Sequence, residues 1–167
     1  MPPLVVTAVV AEPVQEALDA LRRRHFPPDR NHLDAHVTLF HALPAEHEAA
    51  VAAALAAATE RPGPEAVVGV PRLLGRGVAL RVESPALLAL RADLAHRWDP
   101  WLTRQDRGKR ELHVTVQNKV DPEQARALYA DLATRPVDHT HVTALALWRY
   151  RGGPWEPVRR YPFGPAR

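Results

Sequence analysis

The sequence predicts an α+β fold made of two related halves, and three observations carry that expectation. Strand-like and helix-like runs alternate along its 167 residues. The tripeptide His-Val-Thr stands at 36–38 and again at 113–115, each time inside an alternating polar–apolar stretch. The elements around the two copies come in the same order.

The elements follow from residue type and spacing. Leu4–Val10 (LVVTAVV) is a β-branched run that reads as a buried strand ended by Pro13. From Pro13 to about His25, Val14, Leu18 and Leu21 recur at helical spacing, until Pro27 and Pro28 stop the helix. Ala35–Leu43 (AHVTLFHAL) reads as an alternating strand, and Pro44 opens an alanine-rich helix to about Thr59. Arg61-Pro62-Gly63-Pro64 is a connector. Glu65–Val70 is a short strand, and Val78–Val82 a second one after the turn at Gly75 and Gly77. Pro85 starts a helix through Leu87, Leu90, Leu94 and Trp98, followed by a polar loop over 99–110. Leu112–Lys119 (LHVTVQNK) is the second alternating strand, and Asp121-Pro122 is a helix start. The last segments, Val137–Tyr150 and Trp155–Phe163, read as two strands around Gly152-Gly153-Pro154.

Aligned without gaps, His36–Ala56 and His113–Ala133 share more than His-Val-Thr. Glu46 meets Glu123, Ala50 meets Ala127, Ala53 meets Ala130, Leu55 meets Leu132 and Ala56 meets Ala133. Each copy follows a strand ending in Glu (Glu12, Glu83) and a proline-started helix. The expectation is one domain over 1–167, with an internal repeat at roughly 4–60 and 78–134 and a closing strand pair at 137–163. Related halves arranged about a pseudo-two-fold axis would bring the two motifs to one cleft.

Composition narrows the function. The chain has no cysteine, which excludes disulfides, thiolate metal sites and a cysteine nucleophile. Its pI near 9.8 overstates a net charge of only +3, because the basic residues are nearly all arginine, with Lys109 and Lys119 the only lysines. A mildly basic protein is compatible with a phosphate-bearing partner. No apolar run has transmembrane length and the N-terminus lacks a signal-type pattern, so the expectation is a cytoplasmic protein with no membrane partner, acting as a monomer.

Two histidines facing each other, each with a hydroxyl two residues on, suit phosphoryl chemistry. In-line displacement at phosphorus needs one proton removed and another delivered, and histidine exchanges protons near neutrality. His36 and His113 are the expected acid–base pair, with Thr38 and Thr115 binding phosphate. The scheme needs no metal or cofactor. Strict alternation adds Phe40 on the first strand, and Gln117 and Lys119 on the second, as substrate contacts on the same faces. Arg104 and Arg107, in the basic loop, are further candidates; such a loop is more often simply solvated, and a cleft-side lid is the functional alternative. His32, His36, His41 and His47 match no zinc signature, and alternation sets His41 on the opposite face from His36. The third His-Val-Thr, His141–Thr143, heads an apolar strand and reads as structural; so do Trp98, Trp101, Trp148 and Trp155.

The paired H-x-T strands resemble the 2H phosphoesterase superfamily, and within it the bacterial 2′-5′ RNA ligase-like proteins. The likeness covers most of the chain: HVTLFHALP, LTRQD at 102–106, HVTVQNKV and LALWRYRGGPWEPVRRYPF. It implies a bilobal α+β fold, with two antiparallel sheets lining a central cleft and helices outside. It also implies that His36, Thr38, His113 and Thr115 are catalytic and phosphate-binding residues. The activity implied is metal-independent hydrolysis of a 2′,3′-cyclic phosphodiester, on RNA ends or small cyclic-phosphate nucleotides, to a 2′-phosphate, with reverse 2′-5′ RNA ligation. Where the RNA cyclic phosphodiesterase branch carries a basic residue three after the second motif's Thr, this chain has Asn118, with Lys119 one further on. The alternatives are another small nucleotide-like substrate, or a non-catalytic RNA- or nucleotide-binding module.

Overall fold

The computed structural model describes residues 1–165. Strands β1 (Leu4–Val10), β2 (Val37–Leu43), β3 (Glu65–Leu73), β4 (Val78–Glu83), β5 (Leu112–Gln117), β6 (Asp138–Tyr150) and β7 (Trp155–Pro162) alternate with helices. The helices are α1 (Val14–His25), α2 (Glu48–Ala58), α3 (Pro85–Arg97), a single turn α4 (Arg104–Arg107) and α5 (Pro122–Ala133). Local signals account for the helix starts. The Ser84 hydroxyl accepts from the Leu87 amide ahead of Pro85, and the Gln124 side chain accepts from the Asp121 amide around Pro122.

All pairings are antiparallel, in the order β1-β2-β5-β4-β3-β6-β7, and β6 returns to β1 to close a six-strand ring. Two three-stranded sheets make up that ring, β6-β1-β2 and β3-β4-β5, and β7 pairs with β6 outside it. On one side β3 and β6 join them through four residue pairs, Glu65–Val68 against His141–Asp138. On the other side a single pair, Val37 with Val114, links β2 to β5. Exchanging β1, β2 and β3 with β4, β5 and β6 maps every pairing in the ring onto another, which is a pseudo-two-fold topology.

The core runs between sheets and helices. Val51, Leu55, Leu87, Leu90, Leu94, Leu128 and Leu132 from the helices are buried with Leu4, Val6, Leu39, Leu43, Leu112 and Val116 from the strands. Trp98, 1 % exposed, meets the buried Phe40 ring edge-on at 5.0 Å, a contact worth about 0.5–1.5 kcal/mol beyond its area.

Several boundaries differ from the sequence expectation. The first motif strand begins at Val37, so His36 lies just ahead of it, and β3 runs on to Leu73. The alanine-rich helix is preceded by a 3₁₀ turn over Ala45–His47, and the loop over 99–110 carries a 3₁₀ turn and α4. β5 stops at Gln117, with Lys119 beyond it at φ 62° in the left-handed region.

Candidate active site

The site grows from the Val37–Val114 pair. Both valines are 1 % exposed and belong to the core. Neighbouring side chains on a strand alternate, so the residues flanking each valine take the opposite side, away from the core. Continuing the antiparallel register by one residue sets His36 opposite Thr115, and Thr38 opposite His113. All four are half-buried, as expected of a floor lining a cleft.

Two buried arginines hold this seam where the ladder opens. Arg22 of α1 donates from Nη1 to the Thr115 carbonyl at 2.8 Å, and Arg91 of α3 donates from Nε to the Leu39 carbonyl at 2.9 Å. Each half's first helix therefore braces the other half's motif strand. Both side chains are 5 % exposed, so each satisfies a carbonyl that water reaches poorly.

His36 Nδ1 donates to the Asp34 carbonyl at 2.8 Å; a carbonyl only accepts, so the ring's lone pair is left on Nε2. Burial pushes the His36 pKa down to about 4 against the pull of that hydrogen bond, and the charges of Arg22, His113 and His41 lower it further. His113 is also lowered, first by burial and then by Lys109, Arg72 and His41. Its Nδ1 is buried with no hydrogen-bond partner among the described residues.

Both motif strands carry a β-bulge directly after the threonine. On β2, Thr38 pairs with Thr7 and Phe40 with Val6, which leaves Leu39 extra. On β5, Thr115 pairs with Ala79 and Gln117 with Val78, which leaves Val116 extra. A bulge opposes two residues to one and interrupts the alternation. Phe40 therefore falls on the same side as Leu39, 0 % exposed, with the Arg91 guanidinium 4.6 Å above its ring. Gln117 is likewise buried beside Val116. Phe40 and Gln117, expected to touch substrate, are instead packed inside, and the equivalent bulges are the common cause. Lys119 is exposed beyond the strand end and does not share the face of His113.

The bulge also returns His41 to the cleft, reversing the expected opposite face. His41 lines a pocket with His113, Arg72, Gln105, Lys109, Arg110 and Glu111. Asp106, 0 % exposed, holds it there. The carboxylate accepts from the His41 amide at 2.9 Å, from the Ala42 amide at 3.1 Å and from His41 Nδ1 at 2.9 Å. Burial alone would raise the Asp106 pKa, but the hydrogen bonds from the His41 ring and the two amides hold it below the usual carboxylate value. The basic loop thus pins β2 through its acidic residue. Arg107 is tied to Asp99, by Nη1 to the carboxylate at 3.1 Å, and Arg104 is exposed; neither lines the His113 pocket, whereas Lys109 and Arg110 do. Sequence reading missed Asp106 and His41, although Asp106 closes the LTRQD stretch.

His36 lines a second pocket, of about 360 Å³, with Thr7, Gln15, Asp34, Trp148, Trp155 and Arg160 among its walls. The Trp155 ring lies 4.9 Å from the His36 ring, and Trp148 Nε1 donates to Thr7 Oγ1 at 3.0 Å. Trp148 and Trp155 are therefore cleft residues as well as hairpin packing, while Trp98 is core. Thr143 of the third His-Val-Thr reaches this pocket too, but its hydroxyl donates to the Val9 carbonyl. Among the described residues, no three of His, Cys, Asp and Glu gather as metal ligands would. No helix among them is long and apolar enough to cross a membrane.

Comparison with known proteins matches this geometry to a family. Residues 10–154 match the 2′-5′ RNA ligase superfamily. Escherichia coli LigT, solved in complex with 3′-AMP, superposes with a TM-score of 0.61 at 19% identity, covering 98% of each chain. The same protein with NADP+ gives 0.61 at 21%, covering 97% of this chain and 98% of that one. TT0787 of Thermus thermophilus gives 0.65 at 16%, covering 99% and 100%. No curated protein matches the chain by sequence. The superpositions establish a LigT-like fold over nearly the whole chain, and the sequence match over 10–154 establishes kinship: the chain belongs to the 2′-5′ RNA ligase superfamily, among the 2H phosphoesterases.

Proposed function

We propose that the chain is a phosphoesterase that hydrolyses a 2′,3′-cyclic phosphodiester, of an RNA end or a nucleotide, to a 2′-phosphate, with His36 and His113 as its acid–base pair. The observation that carries this reading is the Val37–Val114 seam, whose register sets each motif histidine opposite the other motif's threonine on one cleft floor. A phosphate above that floor meets two imidazoles and two hydroxyls.

A water oxygen bonds to phosphorus and the P–O3′ bond breaks; one proton leaves the water and one arrives at O3′. His36, neutral near pH 7 with its lone pair on Nε2, accepts the water proton. His113 delivers the other, having gained it as the anionic diester enters among its cationic neighbours. The Thr38 and Thr115 hydroxyls donate to the non-bridging oxygens as negative charge builds there. The scheme calls on no metal or cofactor, and with an RNA 5′-hydroxyl in place of water the same displacement of O3′ would join RNA ends through a 2′-5′ linkage.

LigT has been seen with 3′-AMP and with NADP+, and a nucleotide-sized ligand suits the pocket of Trp148 and Trp155 beside His36. On this reading residues 1–167 act as one domain, as a cytoplasmic monomer. The test is turnover of 2′,3′-cyclic AMP followed by ³¹P NMR, with and without EDTA. Chelator-insensitive formation of the 2′-phosphate supports the reading; tight binding without turnover would make the chain a nucleotide-binding module instead.

A further inference from the structure

The two pockets that flank the seam differ in charge. The one beside His36 carries Trp148, Trp155, Asp19, Asp34 and Glu12 with a single arginine, Arg160. The one beside His113, about 470 Å³, carries Arg72, Lys109, Arg110 and His41 against one carboxylate, Glu111. Glu111 is shared between Arg72 at 2.9 Å and Arg81 at 3.1 Å. Lys109 and Arg110 form no ion pair among the described residues, and Lys109 is half-buried. Burial and the nearby charges of Arg91 and Arg72 lower the Lys109 pKa despite the opposing pull of Asp106, which marks a cation in positive surroundings.

Of the four motif residues only His113 lines this pocket. It therefore extends away from the seam, where a scissile phosphate must reach both histidines. It is open to solvent and has room for a phosphate group. His41 is a built part of it. Its Nδ1 is committed to the fully buried Asp106 carboxylate, which leaves Nε2 as the nitrogen for a ligand.

We propose that the pocket formed by His41, Arg72, Lys109 and Arg110 binds a second phosphate of the substrate, so that the preferred ligand carries one phosphate at the seam and another on the His113 side. The inference rests on the reading of the seam as a phosphate site. His41, held by Asp106 at Nδ1, turns Nε2 toward the phosphate. Lys109 supplies a cation already desolvated, which strengthens its attraction for the anion. The nucleoside then lies toward Trp148 and Trp155, which fixes the direction in which substrate crosses the cleft.

The experiment is equilibrium binding by calorimetry, without turnover, of adenosine 2′-monophosphate and adenosine 2′,5′-bisphosphate to the full chain and to its Lys109→Met and Arg110→Ala variants. The expected result is at least a tenfold preference for the bisphosphate, falling to within about twofold in Lys109→Met and shrinking in Arg110→Ala. Equal affinities in the native chain overturn the proposal. So does a preference that survives in both variants, or a Lys109→Met change that weakens both ligands equally, since Lys109 would then serve the seam phosphate. If cyclic nucleotides are not turned over but the bisphosphate preference holds, the second site stands and the hydrolytic reading falls.

Discussion

Val37 and Val114, the central residues of the two His-Val-Thr motifs, form the single residue pair that joins β2 to β5. The pseudo-two-fold axis passes between them. Each motif's polar residues are thereby set against the other's by one backbone contact.

Asp106 is the support for β2 at its bulge. Asp106→Asn would turn an amide NH₂ toward donors that now share a carboxylate, leaving a buried mismatch among the His41 and Ala42 amides and the His41 ring. The expected cost is about 2–4 kcal/mol in urea unfolding. A change below about 0.5 kcal/mol would mean that the bulge is held by something else.

Gly77 packs against the end of β5. A Cβ added there would sit 2.0 Å from the Gln117 carbonyl oxygen, a backbone atom that cannot swing aside. Gly77→Ala should destabilise the fold by about 1–3 kcal/mol. Gly153→Ala, with nothing within 4 Å, is the steric control and should move the melting temperature little.

The acid–base pair sets a pH profile. Both histidines are lowered from 6.5 in the free chain, His36 to about 4. The bell in kcat/KM, which reports the free protein, should therefore lie on the acid side of 6.5. At saturation the bound phosphate anion favours the imidazolium forms, so the kcat bell should move to higher pH. A kcat/KM optimum above pH 7.5 would contradict these surroundings for the two rings.

Burial of His36 also ties stability to pH. The folded pKa lies below the unfolded value, so between about 6.5 and 4 the unfolded chain binds more protons and stability falls as pH falls. The loss from this group approaches about 3 kcal/mol across that window, at 1.36 kcal/mol per unit. His36→Asn removes the titrating group, and its denaturation midpoint should depend less steeply on pH over that range. Parallel curves for the two proteins would place the dependence elsewhere.

Much of the fold was legible because its signals are local. The Leu4–Val10 run, Pro85 and Asp121-Pro122 each announce an element in a few residues, and the repeated motif announced the symmetry. What escaped the sequence was the pair of bulges. Nothing in Leu39-Phe40 or Val116-Gln117 signals an extra residue, because a bulge is set by the pairing with β1 and β4 rather than by composition. Alternation counted past it gives the wrong face, which is why Phe40 and Gln117 were expected in the cleft and His41 outside it. Asp106 escaped for a related reason. Its partners lie 64 and 65 residues away, and in sequence it is one acid among arginines.

The central claim is that His36 and His113 act together on one phosphate, and the most direct measurement is 2′,3′-cyclic AMP turnover by the native chain, His36→Ala and His113→Ala. Each variant should lose about 10²–10⁴-fold in kcat while its far-UV circular dichroism stays native, and the double variant should lose little more than either alone. Turnover unchanged in either single variant would contradict the claim.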